Sequence, residues 1–375
     1  MPRAKEVKKA TCPTLQRAQE GEITMKAAVW HKKGDIRIED VSEPQAGPGQ
    51  VKLRIKTCGI CGSDLHEYTS GPFMIPARPH PLTGRANGPV ILGHEFSAEV
   101  VEAGEGVKSV KPGERVTVNP LIYCGQCHYC RLGQFDMCTK AGSAGLACDG
   151  AFAEFGVFSE YAVLKLPDTV SDDAGAFVEP LAVAVHAVKR ARLRIGASVA
   201  VVGAGPIGLL VMQACRAAGA GKVFVIEPLK VRRELAARTG ATAVFDPGQI
   251  DAAKAIVGLT DGLRADCAFD CVGSQASFDT AVKVTGRRAV ICVVGLALKP
   301  VEVPFFRLWG HEKEIVFSIG YDDEFTAAIN YLADGRVNVE PLITARIKVD
   351  ELVDKGIKEL IEHGSDHVKI LVYPG

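Results

Sequence analysis

Over the first 155 or so residues, apolar positions come in short alternating stretches broken by turn residues. Candidate strands are Lys26–Trp30, Ile36–Glu39 and Val51–Thr57, the last with the alternation of a half-buried strand. Gly47-Pro48-Gly49 and Lys111-Pro112-Gly113 mark turns, and the apolar pair Val100 and Val101 runs into Gly104 and Gly106. The pattern changes near Glu179. Pro180–Leu193 is rich in Ala and Val and reads as a helix. After it, strands are predicted at Ser198–Val202, Lys222–Glu227, Ala243–Phe245, Asp266–Cys271 and Ala289–Val294, with Ile315–Ile319 as a sixth and helical stretches between. Strands that alternate with helices imply βαβ units and a parallel sheet. Helical patterns at Phe325–Leu332 and Asp350–Ile361 and a strand at Val368–Val372 complete an α/β chain without internal repeats.

Residues 1–24 stand apart. Five basic residues (Arg3, Lys5, Lys8, Lys9, Arg17) face three acidic ones (Glu6, Glu20, Glu22) with no apolar period, the pattern of a flexible extension. The 375 residues suit two domains and a sizeable core. Lys+Arg and Asp+Glu balance at 44 each, which argues against a nucleic-acid or anionic-membrane surface. No apolar run reaches the length of a membrane span and no signal-peptide core is visible, so the expectation is a cytoplasmic protein. In that setting the 12 cysteines read as reduced thiols and metal ligands rather than bridges.

Ser198–Val202 runs into Gly203-Ala204-Gly205-Pro206-Ile207-Gly208 and an apolar helix that ends at Gly219. Strand, glycine loop and helix in that order form a dinucleotide site. Gly203 permits the tight turn, Gly205 lets backbone approach a pyrophosphate, and Gly208 lets the helix pack closely on the sheet. The helix N-terminus offers free N–H groups and a positive dipole end to phosphate. Glu227, at the tip of the next strand, can accept hydrogen bonds from ribose hydroxyls and would repel a 2′-phosphate, which favours NAD over NADP. Arg232 and Arg233 lie nearby as candidate phosphate ligands.

Cys124, Cys127, Cys130 and Cys138 form C-x2-C-x2-C-x7-C, with turn-forming Gly125 and Gly133 inside it. Four thiolates so close can fill a tetrahedral zinc shell and leave no position for substrate, so the segment is expected to be a structural zinc lobe. Only Arg131 and Lys140 lie close by, unlike the basic helix of a nucleic-acid zinc finger. A second group is dispersed over Gly59-Ile60-Cys61-Gly62-Ser63-Asp64-Leu65-His66, Gly93-His94-Glu95 and Val178-Glu179-Pro180-Leu181. Each piece taken singly has an ordinary structural reading: His94 as a core histidine, Glu179 as a carboxylate at a helix start.

Together these residues resemble the zinc-dependent medium-chain alcohol dehydrogenases from Met25 to Gly375, and within them the polyol branch that includes sorbitol and 2,3-butanediol dehydrogenases. The likeness to (R,R)-butanediol dehydrogenases rests on CGICGSDLHEY (Cys58–Tyr68), GPFMIPARPHPLTG (Gly71–Gly84), EPLAVAVHAV (Glu179–Val188) and HVKILV (His367–Val372). The resemblance implies a β-rich GroES-like catalytic domain over 25–180, a doubly wound Rossmann domain over 181–320, and a return to the catalytic domain over 321–375. It implies that Cys61, His94, Glu95 and Glu179 surround a catalytic zinc. Glu179 stands where many relatives have a second cysteine, which leaves open whether it binds the metal directly. Ser63 would hydrogen-bond the substrate hydroxyl, and the proton would pass by way of the cofactor ribose to His66. The expected cofactors are NAD and two zinc ions per subunit, although these ligands also accept cobalt or iron. The expected assembly is a homodimer or homotetramer.

The expected reaction is the interconversion of a secondary alcohol or vicinal diol and its ketone, with (R,R)-2,3-butanediol and acetoin as the first substrate pair. A sorbitol-type, other polyol or threonine dehydrogenase is the enzyme alternative. A scaffold that has lost catalysis would show erosion at Cys61, Ser63 or His94, and all three are present.

Overall fold

The computed structural model describes residues 23–375. The expected extension therefore lies outside the described residues except for its last two, and the fold begins one residue earlier than Met25, because Thr24 opens the first strand. The described chain forms two compact units, one of residues 23–179 and 343–375 and the other of Pro180–Leu342. The second unit thus runs 22 residues past the expected return at 321 (342 − 320).

In the first unit, β1 (Thr24–Lys32) and β2 (Asp35–Ser42) form an antiparallel pair, with β3 (Gln50–Gly59) and helix α1 (Gly62–Ser70) following. β4 (Val90–Ile91) pairs with β1, and β5 (Glu95–Ala103) and β6 (Arg115–Val118) run antiparallel to their neighbours. β7 (Leu121–Ile122) and β8 (Gly142–Ser143) pair across the cysteine lobe, which contains the short helix α2 (His128–Arg131). Then come β9 (Phe155–Ser159), β10 (Val163–Lys165), α3 (Asp172–Ala176) and the start of α4 (Val178–Arg190). Trp30, Leu53, Phe96 and Phe152 lie at the centre of this unit's apolar core.

The second unit is a six-stranded parallel sheet of β11 (Ser198–Val202), β12 (Lys222–Ile226), β13 (Ala243–Phe245), β14 (Ala265–Asp270), β15 (Thr285–Val293) and β16 (Glu314–Phe317). Its order, β13-β12-β11-β14-β15-β16, reverses direction between β11 and β14, the arrangement of a doubly wound dinucleotide fold. Helices α5 (Pro206–Ala217), α6 (Lys230–Arg238), α7 (Ala252–Leu259), α8 (Gln275–Val284) and α9 (Phe305–Gly310) connect the strands, and α10 (Phe325–Ala333) follows. Cys215, Cys267 and Cys292 are buried as small core residues, and burial pushes their thiols up.

The chain then re-enters the first unit with β17 (Ile343–Lys348) and β18 (Lys369–Tyr373). β18 lies between β17 and β3, inside a seven-stranded sheet of order β10-β6-β5-β3-β18-β17 with β9 also paired to β3. The segment expected as one helix over Asp350–Ile361 is a 3₁₀ turn at Val349–Glu351, a π-helical stretch at Leu352–Lys358 and a short α-helix, α11 (Glu359–Glu362). The irregular winding seats Gly356 in the core, where an added Cβ would lie 2.7 Å from Ile60 Cδ1. One cysteine also departs from expectation: Cys148 is disulfide-bonded, so burial and metal binding do not account for every thiol. No helix among the described residues is long and apolar enough to cross a membrane.

Candidate active site and metal centres

The cysteine lobe closes on itself. Cys127 is the N-cap of α2, so the chain turns there and brings Cys130 back toward Cys124, with 3.9 Å between their sulfurs. All four sulfurs lie within 4.8 Å of one another, as one tetrahedral ion contacted at about 2.3 Å requires. Backbone N–H groups aim at them: Cys127 donates to Cys124 Sγ, and Cys124 and Lys140 donate to Cys138 Sγ, each at 3.3 Å. Donors of this kind, from Cys130 and Thr139, push the Cys127 thiol down to about 6. Burial pushes Cys130 and Cys138 up, while at Cys124 the N–H groups of Gln126 and Cys127 outweigh burial and lower it. Tyr123 stacks on Phe135 at 4.3 Å between ring centroids and covers the lobe.

The second set is assembled by sheet register. Gly59 ends β3 opposite Glu95, the first residue of β5, and opposite Leu371 of β18. Cys61 follows as the N-cap of α1, held by its backbone N–H donating to Asp64 Oδ2 at 2.9 Å. His94 directly precedes β5. Cys61, His94 and Glu95 thereby offer S, N and O atoms within 4.8 Å of one another. Ser63 Oγ lies 3.2 Å from His94 Nε2, and His66 is one turn further along α1 on the same face. Glu179, also buried, is outside this close set but near enough to act electrostatically on His94 and Lys369.

The charges around this set suit a cation. Burial alone would lower the His94 imidazole, yet Cys61, Asp64 and Glu179 hold it well above its ordinary value. Asp64 is fully buried, and burial pushes its carboxyl up. His94 Nδ1 and Asp64 Oδ1 face each other at 3.8 Å, and neither has a hydrogen-bond partner. Such a surplus of buried anionic groups around one imidazole fits a divalent ion.

The pattern reading missed Lys369 as part of this site. Its Nζ is buried, donates to Glu95 Oε2 at 2.5 Å and to the Ile60 carbonyl at 3.1 Å, and is 274 positions from Glu95 in the chain. Burial would lower this ammonium, but Glu95, Cys61 and Glu179 raise it. Gly59 makes room for the pair: an added Cβ would lie 2.6 Å from Glu95 Oε2 and 3.4 Å from Lys369 Cδ. The alternating segment around Lys369 signalled a strand, and the only further clue was a charged residue in an otherwise apolar run.

In the second unit the glycine loop joins β11 to α5. Gly203 has φ +91, and a Cβ on Gly208 would lie 1.9 Å from the Gly203 carbonyl oxygen, so only glycines let α5 start against β11. Gly205 is the N-cap of α5. Glu227, buried at the end of β12, accepts from Ala204 N–H at 2.7 Å and Leu229 N–H at 2.8 Å, which ties the glycine loop to the second strand. Arg232 faces Gly205, its Nη1 standing 3.9 Å from the position of a Cβ there. Arg233 is turned away, donating to the Glu227 carbonyl and pairing with Asp246 at 3.0 Å.

Residues 47–168 match the family model described as the alcohol dehydrogenase GroES-like domain, and residues 206–334 match that of the zinc-binding dehydrogenase. The chain is 41% identical to (R,R)-butanediol dehydrogenase of Bacillus subtilis, over 93% of this chain and 100% of that one. It is 31% identical to a sorbitol dehydrogenase of the same organism, over 93% and 97%. A crystal structure of 2R,3R-butanediol dehydrogenase from Bacillus subtilis superposes with a TM-score of 0.88 at 40% identity, covering 94% of this chain and 100% of that one.

Proposed function

The chain belongs to the zinc-binding alcohol dehydrogenases, and on that premise we propose that it interconverts (R,R)-2,3-butanediol and acetoin with NAD, using one catalytic and one structural zinc per chain. The observation that carries the chemistry is the set Cys61, His94 and Glu95 with the Ser63 hydroxyl beside His94. Zinc held there supplies a Lewis acid that lowers the pKa of an alcohol hydroxyl, and the nicotinamide supplies a hydride acceptor. Cys61, His94 and Glu95 are the assigned ligands, and Glu179, which acts electrostatically on His94, is the fourth candidate. Ser63 Oγ would accept a hydrogen bond from the substrate hydroxyl and release its own proton as it takes that one up, and half-buried His66 would hand the relayed proton to solvent. Lys369 keeps Glu95 oriented by balancing its charge in the interior.

Glu227 supports NAD over NADP, while Arg232 supports dinucleotide binding as such. The Glu227 oxygens, each taken once by backbone, keep lone pairs for ribose hydroxyls and repel an added phosphate, and Arg232 faces the loop where a pyrophosphate would lie. A homo-oligomer is supported by the far edge of the parallel sheet. There β16 has no further strand among the described residues, and Phe305, Phe306, Trp309 and Phe317 are exposed.

The 41% identity to a butanediol dehydrogenase favours the diol over sorbitol, whose dehydrogenases match at 31% and 35%. An NAD(H)-linked screen of stereodefined butanediols, sorbitol, threonine and simple alcohols, with zinc measured on the same sample, tests the reading. Highest kcat/KM on the R,R diol with two zinc ions supports it. Preference for sorbitol, or higher efficiency with NADP, overturns the corresponding part.

A further inference from the structure

Glu67 lies on α1 next to His66, and no step above uses it. Its side chain is fully buried, and its carboxyl accepts three consecutive backbone N–H groups. Phe73 donates to Oε2 at 3.0 Å, and Met74 and Ile75 donate to Oε1, the latter at 3.0 Å. The Glu67 carbonyl accepts from Gly71 N–H and from Trp30 Nε1, each at 3.1 Å. The chain turns back over the end of α1 because residue 71 has no side chain: a Cβ there would lie 2.4 Å from the Glu67 carbonyl oxygen and 2.5 Å from Oε2. Ile75 is buried in the core, which fixes the far side of the turn.

Between these anchors the side chains of Phe73 and Met74 are each 50% exposed. A buried carboxyl that accepts three N–H groups holds this backbone rigid, yet the residues it presents are apolar. The Phe73 ring stands 6.2 Å from the His66 ring, tilted by 49°. His66 shares a face of α1 with Ser63, which itself touches His94. The apolar tip therefore flanks the face that handles the substrate proton.

We propose that Glu67 is a positioning residue that sets Phe73, with Met74 beside it, as an apolar wall for the alkyl end of the substrate. The proposal rests on the diol reading above and adds the source of its selectivity. A methyl group packs against Phe and Met, whereas a further hydroxyl placed there loses its water without gaining a partner. The wall selects short vicinal diols with alkyl ends over longer polyhydroxylated chains.

The test uses full-length zinc-loaded enzyme and the variants Phe73→Ala, Glu67→Gln and the double variant. Each is assayed on (R,R)-2,3-butanediol and sorbitol, and amide hydrogen exchange is followed at residues 73–75. Phe73→Ala is expected to lower the butanediol-to-sorbitol ratio of kcat/KM about tenfold, through a raised butanediol KM with kcat within about twofold. Glu67→Gln keeps an acceptor for Met74 and Ile75 but turns N–H groups toward Phe73. It should shift the ratio the same way by about threefold and speed exchange at 73–75, and the double variant should be no worse than Phe73→Ala. An unchanged ratio in Phe73→Ala overturns the wall. Unchanged exchange in Glu67→Gln, or an equal fall of kcat on both substrates, overturns the positioning role. Wild-type enzyme inactive on every diol and polyol overturns the reaction instead, and the exchange result then still decides for or against the clamp.

Discussion

The four cysteines of the 124–138 lobe come from one short segment and meet because the chain turns at Gly125 and at the N-cap of α2. Cys61, His94 and Glu95 come from separate segments and meet only because β3, β5 and β18 lie side by side in a fixed register. The lobe is a local object, its sulfurs satisfied by neighbouring N–H groups. The second set is a product of the whole unit, crowded with buried carboxyls and balanced by a lysine from a distant strand. A local site can be lost without disturbing chemistry elsewhere, and a dispersed one can lose its chemistry while the fold persists. Reactivity gathers where the charge is not fully settled by the immediate backbone.

The largest expected effect is on the dispersed site. His94→Ala should lower kcat/KM by about 10³-fold or more and remove close to one zinc per chain. Its thermal midpoint should stay within a few degrees of wild type, as calorimetry and metal analysis on one sample would read. Retention of both metals with full turnover would erase the distinction drawn between the two sets. Cys130→Ser should do the reverse: one zinc lost and a thermal midpoint lower by about 5–10 °C, with kcat per folded molecule within about threefold. A collapse of kcat at unchanged stability would make the lobe a catalytic element.

The smallest effect should come from a polar cluster outside both sets. Glu324 is buried in the second unit, where burial would raise its carboxyl. Hydrogen bonds from His186, the Asp322 N–H and Lys189 outweigh that and pull it down to about 2. A carboxyl depressed in the folded state adds stability above its unfolded value near 4.5, and that stability fades as pH falls toward 2. Glu324→Gln should therefore lower denaturation midpoints at pH 7, with the gap to wild type closing between about pH 4.5 and 2. Zinc content at pH 7 should not move. A pH-independent gap would mean that packing, not charge, makes the contribution.

The same contrast explains what could be read from the chain. Ser198–Val202 is expected at the boundaries the strand has, because a strand buried on both faces writes itself as a continuous apolar run, and the half-buried edge strand Ala243–Phe245 also has its expected bounds. The cysteine spacing and the glycine loop are equally local signals. Cys61, His94 and Glu95 were grouped only through resemblance, since nothing in the spacing says that residue 59 pairs with 95. Lys369 and Glu67 escaped notice for a related reason. Their roles lie in the direction of a side chain, toward Glu95 in one case and toward three N–H groups in the other. The stretch at 350–361 carries a helical period, and only the seat of Gly356 against Ile60 shows why it winds irregularly.

The ion pair of Glu95 and Lys369 also fixes an order of events during synthesis. Glu95 leaves the ribosome 274 residues before its partner exists. Everything needed for the parallel sheet, from β11 to β16, is translated in that interval. The unit encoded in the middle can thus complete its own sheet while the flanking one still lacks β17 and β18 and keeps a carboxyl waiting in its unfinished interior. Nucleotide-binding competence should precede completion of the Cys61, His94 and Glu95 set in a nascent chain, inverting the usual rule that the N-terminal unit matures first.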